Sequence, residues 1–266
     1  MPTEAVRRRY LERIAQALKA ASDVAKHYAG GTYHVCDNGG RDVVTQVDRE
    51  VSDVLRQHLL RAGEGWLSEE DRDDEARLRC DVVWTVDPLD GTREFVDGIP
   101  EYCISVGLVA EGAAVAGGVC NPVTGELFLG TLDGGMTYNG VPARVSSRSG
   151  LDGAVVLASR QEYKRGEWKR FAQDRFTVRP MGSVAYKLAL VAAGLADATW
   201  TLSPKHEWDV AAGVALVTSA GGVVGCLGNT GLRLNRPFTL LPGLVASGKS
   251  LWPEIAQLIA RRTDRG

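Results

Sequence analysis

No CxxC pair occurs in the 266-residue chain, and its five cysteines, Cys36, Cys80, Cys103, Cys120 and Cys226, are odd in number and widely scattered. That pattern argues against a disulfide framework and against a zinc site, and it fits a reducing cytoplasm. The four histidines, His27, His34, His58 and His206, join no Ser-His-Asp or Cys-His arrangement, so nothing points to a covalent nucleophile. Charge of one sign is also missing in excess. Lys+Arg 31 against Asp+Glu 33 leaves a formal net charge of -2, which excludes the bulk signature of a nucleic-acid or membrane-surface binder and leaves charge recognition to local sites. No apolar run reaches the length of a membrane span, and the opening "MPTEAVRRRYLERIAQ" carries arginines without the apolar centre of a secretion signal. Internal repeats and low-complexity tracts are absent as well. The expectation is a soluble, untargeted globular protein, and a hydrophobic content of 44% is ample for one large domain or two lobes.

What is present begins with helical spacing. Val6, Tyr10, Ile14, Leu18, Ala21 and Val24 predict an opening amphipathic helix that stops before Gly30-Gly31. After the polar loop "HVCDNGGRD", Thr45 reads as an N-cap with Asp48 three residues on, ahead of a helix whose apolar face is Val47, Val51, Val54, Leu55 and Leu59. "GWLSEE" and "DVVWTVD" are strand-like. From Ile104 a meander follows, its apolar runs separated by turn signals at Glu111-Gly112, Asn121-Pro122, Thr124-Gly125 and Asp133-Gly134. The polar "SSRSG" at Ser146 to Gly150 marks a boundary between an N-terminal lobe, 1–147, built as antiparallel sheet with two helices, and a C-terminal α/β lobe, 148–266. There "GAVVLAS" and "ADATWTL" read as strands and "SVAYKLALVAAG" and "WDVAAGVALVTSAGG" as helices closed by Gly194 and Gly221-Gly222. Val223 to Cys226 and Leu232 to Leu234 are further strand candidates, and "SLWPEIAQLIARRT" a closing helix capped by Ser250.

The chemistry lies in the acids. Asp42 and Asp48, Glu69 and Glu70, Asp87 and Asp90, and Asp209 all stand at the ends or starts of regular elements. Carboxylates in such places suit Mg²⁺, a hard, small cation satisfied by a few carboxylates and substrate phosphate oxygens. Bland readings exist for several. Asp48 and Asp209 each complement a helix dipole, and Glu69, Glu70, Asp71, Asp73 and Asp74 form an acidic run of the kind usually found in a solvated loop. The pair Asp87 and Asp90 in "WTVDPLDGTREF" is harder to explain without a cation between them. Behind it, Gly91 and Thr92 offer amide donors at a helix start, a seat for phosphate. Metals beside a phosphate seat describe metal-assisted phosphoryl hydrolysis.

"WTVDPLDGTREF" and "EWDVAAGVALVTSAGG", with "LSEE" and "DVVTQVD" ahead of them, resemble the inositol monophosphatase superfamily of Mg²⁺-dependent, lithium-sensitive phosphatases, over Asp42 to Gly222. The resemblance implies an αβαβα layered α/β fold with two to three Mg²⁺ between the lobes. It implies metal ligation by Glu69, Asp87, the carbonyl of Leu89, Asp90 and Asp209. Asp48 and Thr92 would orient the attacking water, and the amides of Gly91 and Thr92 would hold the phosphate. Within the superfamily, "DGTREF" and "SEEDRDDEARLRCDVVW" resemble the 3'(2'),5'-bisphosphate nucleotidase branch called CysQ-like, which acts on a by-product of sulfate assimilation. The inositol branch usually carries a hydroxyl-gripping acid ahead of "WD", where this chain has "TLSPKHE", and Leu202 and Ser203 cannot serve.

A bisphosphate substrate needs cations for its non-reacting phosphate. Lys205, Arg160 and Lys187 are the candidates, each also readable as an ordinary surface residue, and Trp200, Tyr186 or Trp208 are candidates to stack a base, though core packing is the commoner use. The alternatives are an inositol-1-phosphate or histidinol-phosphate monophosphatase and, outside enzymes, a binding partner in an RNA or transcription complex. The last would use the arginines at Arg7, Arg8, Arg9 and Arg13, which otherwise make a solvated helix side. The expected partner is a small phosphorylated substrate, with no membrane or nucleic acid and a homodimer as the default.

Overall fold

A computed structural model describes residues 1–29, 31, 34–37, 43–73, 75–226 and 231–263; Gly30, Asp42, Asp74 and most of "CDNGGRD" lie outside the described residues. The first half of the chain runs α1 (Glu4–Tyr28), β1 (Val35–Asp37), β2 (Val43–Thr45), α2 (Gln46–Leu59), β3 (Gly65–Ser68), β4 (Val82–Asp90), α3 (Thr92–Val96), then β5 (Cys103–Ala110), β6 (Ala113–Cys120), β7 (Leu127–Thr131), β8 (Gly135–Tyr138) and β9 (Val141–Ala143). The second half continues with β10 (Val155–Ser159), α4 (Arg160–Lys164), β11 (Thr177–Met181), α5 (Val184–Ala192), β12 (Ala198–Trp200), β13 (Lys205–His206), α6 (Glu207–Ser219), β14 (Gly222–Cys226), β15 (Leu240–Leu241), β16 (Leu244–Gly248) and α7 (Trp252–Thr263).

Strands β3 to β9 form one seven-stranded sheet in sequence order. It is antiparallel except at one edge, where β3 runs parallel to β4. The second sheet has five strands in the order β11-β10-β12-β16-β14, parallel across the first three and antiparallel where β16 enters. Strand period two explains the stacking. Ile104, Val106 and Leu108 of β5 join the apolar faces of α1 and α2, while Cys103 and Val109 join a core shared with α5 and α6. That middle core also takes Leu157 and Ala246 from the smaller sheet, whose far face packs Val156, Ala198 and Trp200 against Ile255 and Ile259 of α7. The order through the molecule is therefore helix, sheet, helix, sheet, helix.

Each helix has a local reason. Thr45 accepts from the amide of Val47, and the Asp48 carboxylate accepts in turn from the amide of Thr45, a closed capping box. Val47, Val51, Leu55 and Leu59 are fully buried behind it, each contributing roughly 1.5–3 kcal/mol. At α6, Asp209 plays the same part for His206. Two adjacent glycines in β6 bring layers close: a Cβ on Gly117 would lie 2.6 Å from the carbonyl oxygen of Ala212 in α6, and one on Gly118 would lie 2.4 Å from Ile14 in α1. Helices press on the same strand from both faces because no side chain intervenes.

Three sequence expectations need correction. Leu232 to Leu234 is not a strand: Leu234 is buried, but its amide goes singly to the carbonyl of Gly112 at the β5–β6 turn rather than into a ladder. Ser250 is not the cap of α7, which starts at Trp252, so Ser250 falls in the preceding turn. The arginines of α1 are not simply a solvated side. Arg7 is buried against Asp133 and the carbonyl of Pro2, and Arg13 makes two 2.8 Å bonds to Glu64 while lying over Trp84. Two of the four are thus committed to acidic partners, Arg7 to Asp133 and Arg13 to Glu64.

Candidate active site

Strand β4 carries the acid pair into the middle of the fold. Pro88 has no amide to donate, and the pairing with β5 goes out of register between Asp87, opposite Ser105, and Asp90, opposite Cys103. Both carboxylates stay buried. The turn tightens when the Leu89 amide donates to Asp87 Oδ1 at 3.0 Å and the Thr92 hydroxyl to the Leu89 carbonyl at 3.0 Å. Gly91 precedes α3 at φ 102, a left-handed conformation, and a Cβ there would lie 3.0 Å from Tyr102.

These residues open onto a cleft of about 250 Å³. Glu69, Asp87, Leu89, Asp90, Gly91, Thr92, Arg160, Lys187, Lys205 and Asp209 all line it. Asp48 is set one step behind, its Oδ1 accepting from the Thr92 hydroxyl at 3.0 Å while Oδ2 accepts from the amide and hydroxyl of Thr45 at 2.7 and 2.6 Å. The capping box read from Thr45 and Asp48 thus also holds a site residue in place. Sequence reasoning missed Arg93, Glu94, Ser159 and Gln161, which line the same cleft; Arg93 and Glu94 were already in view inside "DGTREF".

The carboxylates crowd one another. Burial, and then the charges of Glu69, Asp90 and Asp209, push Asp87 well above the usual carboxylate range. Glu69 opens to solvent along the cleft but is ringed by protein on its other sides. Burial first, then repulsion from Asp209, Glu70 and Asp90, raises it to about 8. Glu70 rises to about 7 through burial and the neighbouring Asp48 charge. Asp48 rises through burial, moderated by its bonds from Thr45 and Thr92. Among the described residues no three His, Cys, Asp or Glu side chains close around one point as a ready coordination shell. The donor set nonetheless suits Mg²⁺, because buried oxygens of like charge facing one cleft are offset most directly by a hard cation.

The segment opposite β4 is held in detail. Ser183, at φ 51, donates its hydroxyl to Asp90 Oδ2 at 2.7 Å, and the Ala185 amide reaches the same oxygen at 2.5 Å. The Gly182 amide donates to Glu101 at 2.9 Å. Lys187 is buried, and its ammonium donates to the carbonyls of Gly182, at 3.1 Å, and of Ser183. Burial lowers its pKa to about 8. As a candidate for a substrate phosphate it is thus bound to backbone from beneath. The signal was a lysine inside the otherwise apolar "VAYKLALVA", where a charge has to find buried partners.

Arg160 sits between Glu94, at 3.6 Å, and Glu101. Lys205 is half-buried at the cleft and forms no ion pair among the described residues. Of the candidates for base stacking, Trp200 is fully buried among Trp168, Phe171 and Phe176. Tyr186 is buried with its hydroxyl on Glu126, and Trp208 stacks on His206 at 4.2 Å. No helix among the described residues is long and apolar enough to cross a membrane.

Comparison with known proteins bears on these features. The sequence pattern of the inositol monophosphatase family matches residues 5–265. The chain is 34% identical to the inositol-1-monophosphatase of Rhizobium meliloti over 219 residues, 79% of this chain and 82% of that protein. It is also 34% identical to the Nus factor SuhB of Xylella fastidiosa over 224 residues, 79% of each. The structure of CysQ from Bacteroides thetaiotaomicron superposes with a TM-score of 0.73 at 26% identity, over 90% of this chain and 97% of that one. A match over nearly the whole length, together with buried carboxylates facing a single cleft, makes this chain a member of the inositol monophosphatase family of magnesium-dependent phosphatases.

Proposed function

We propose that the protein is a 3'(2'),5'-bisphosphate nucleotidase, releasing the 3'-phosphate of 3'-phosphoadenosine 5'-phosphate. The observation that carries this reading is Lys205, half-buried and without an ion pair among the described residues, on the same cleft as Asp87 and Asp90, where Arg160 is also held, between Glu94 and Glu101. A substrate with two phosphates needs cations beyond the metal-binding edge, and a monophosphate ester does not. Further support comes from Glu207, an acid of the segment just ahead of Asp209. It is completely buried and accepts from the amides of Asn235 and Arg236, so it cannot grip substrate hydroxyls.

In this reading the site lies between lobes 1–147 and 148–266, and Glu69, Asp87, the Leu89 carbonyl, Asp90 and Asp209 hold two to three Mg²⁺. Bound magnesium supplies the positive charge that offsets the phosphate and its leaving oxygen and makes water more acidic. The amides of Gly91 and Thr92 seat the scissile phosphate, and Lys205 and Arg160 the other. Thr92 carries one proton and has two acceptors in reach, Asp48 Oδ1 and the Leu89 carbonyl. When that proton goes to Asp48, the Thr92 oxygen is left to accept from a water, which orients the water and opens a proton path to Asp48. The raised pKa of Asp48 suits it to take that proton.

A second reading, an inositol-1-phosphate or histidinol-phosphate monophosphatase, is favoured by the 34% identity to an inositol-1-monophosphatase. Inorganic phosphate release separates the two, using 3'-phosphoadenosine 5'-phosphate, inositol 1-phosphate, histidinol phosphate and fructose 1,6-bisphosphate with Mg²⁺ and with EDTA. A preference for the adenosine bisphosphate of about a hundredfold, roughly 2.7 kcal/mol in transition-state binding, supports the nucleotidase. Preference for an inositol or histidinol ester refutes it and leaves the metal site standing.

A further inference from the structure

Glu69 and Asp209 bear like charge when ionised and line the same cleft, and they reach it on unrelated pieces of chain. Glu69 follows β3 at the edge of the large sheet, its backbone tied to β4 by a single 3.3 Å bond to the Val86 carbonyl. Asp209 opens α6. A chain of bonds runs between the two segments, anchored on two buried side chains, Arg77 and Glu207.

It starts at Asp73, four residues beyond Glu69. Arg77, 1% exposed, grips the Asp73 carboxylate with Nε at 3.1 Å and Nη2 at 2.6 Å. The other side of the same guanidinium crosses to a segment 158 residues away: Nη1 donates to Asn235 Oδ1 at 2.6 Å and Nη2 to the Arg236 carbonyl at 3.0 Å. From there the amides of Asn235 and Arg236 donate to the Glu207 carboxylate at 2.6 and 3.2 Å, and Glu207 is 0% exposed and two residues before Asp209. The Glu207 amide in turn donates to the Thr239 carbonyl at 3.0 Å, and β13 pairs with β15 just beyond. Asn235 sits at φ 55, a left-handed backbone that asparagine tolerates better than most residues. Nε, Nη1 and Nη2 of Arg77 are all engaged, on two segments at once, which a surface ion pair does not achieve.

We propose that Arg77 and Asn235 are positioning residues for the metal site, tying the Glu69 segment to the start of α6 so that two carboxylates of like charge stay aimed at one cleft. This rests on the reading of that cleft as a divalent-cation site. Severing the tie lets the carboxylates part and weakens cation affinity, while the ligands themselves are intact.

The test is equilibrium binding of Mn²⁺, followed by the electron paramagnetic resonance signal of the free ion, on the parent chain, Arg77→Met, Asn235→Gly and Asp90→Asn. Asn235→Gly keeps the left-handed backbone and removes the shorter of the two bonds Arg77 sends across, leaving that to the Arg236 carbonyl, so it weakens the tie and tests it even if Arg77→Met fails to fold. The expected result is Mn²⁺ affinity at least about tenfold weaker in Asn235→Gly, the loss usual when groups that orient metal ligands are removed, with thermal unfolding close to the parent. Unchanged Mn²⁺ affinity in Asn235→Gly, whether or not its unfolding temperature falls, overturns the tie and spares the metal site. If the parent does not bind Mn²⁺, or Asp90→Asn binds it as the parent does, the metal reading fails and the tie fails with it.

Discussion

Replacing Asp48 by asparagine separates its two jobs, because its two oxygens have different partners. Oδ2 takes both donors of Thr45, and Oδ1 takes the Thr92 hydroxyl. In Asp48→Asn the amide oxygen can keep the Thr45 bonds and hence the cap of α2. The amide nitrogen then faces Thr92, whose hydroxyl becomes the acceptor and turns its own proton to the Leu89 carbonyl, 3.0 Å away. All hydrogen bonds survive in number, and burial already disfavours the Asp48 charge. The unfolding temperature should therefore stay level or rise. The water, however, loses its proton path. A positioned general base is worth about 100- to 10,000-fold in rate, about 2.7–5.5 kcal/mol of barrier, and phosphate release should fall by that factor at saturating Mg²⁺. Thr45→Ala is the companion, costing about 1 kcal/mol of cap and about 2–4 °C of unfolding temperature in a chain of this size, with a smaller loss of rate. An Asp48→Asn protein that works within about tenfold of the parent would reduce Asp48 to a helix cap and sink the proposed proton path.

Three further outcomes are expected. In EDTA the folded state holds protons on Asp87, Glu69 and Glu70 that the unfolded chain releases, so stability falls as pH rises from the ordinary carboxylate value of 4.5 to about 8. Scanning calorimetry should show that decline flattened by Mg²⁺, and an unfolding temperature that rises with pH in EDTA would contradict the crowding of charge. Gly117→Ala sets a methyl 2.6 Å from the Ala212 carbonyl; it should cost about 1–3 kcal/mol in urea unfolding and raise the Mg²⁺ concentration needed for activity, since α6 carries Asp209. Lys205→Met should raise KM for a bisphosphate ester by about tenfold, about 1.4 kcal/mol, and leave a monophosphate ester nearly unaffected; equal effects on both would remove Lys205 from the second phosphate.

What the sequence made legible is what neighbouring residues decide. The capping box of Thr45 and Asp48, the strand-end pair Asp87 and Asp90, and the helix started by "EWD" are each written within a few positions, and period and turn chemistry placed the elements around them. The tie through Arg77 and Asn235 spans 158 positions and leaves no local trace. Ser183 was likewise invisible, since its hydroxyl meets Asp90 only after two sheets have stacked. Leu232 to Leu234 has strand composition but no neighbouring edge to pair with. β11 and the short β15 lack the alternation or length that marks a strand, so topology decided them.

The adjacent glycines of β6 leave the large sheet, at one point, as bare backbone between two helices. Elsewhere the distance between layers is kept by side chains, which can change rotamer, tilt or be exchanged for others of similar volume. Backbone offers no such adjustment. Position 117–118 is therefore a fixed gauge: it sets how far α6 stands from the sheet that bears the acid pair, and core substitutions around it can vary in shape without changing that separation.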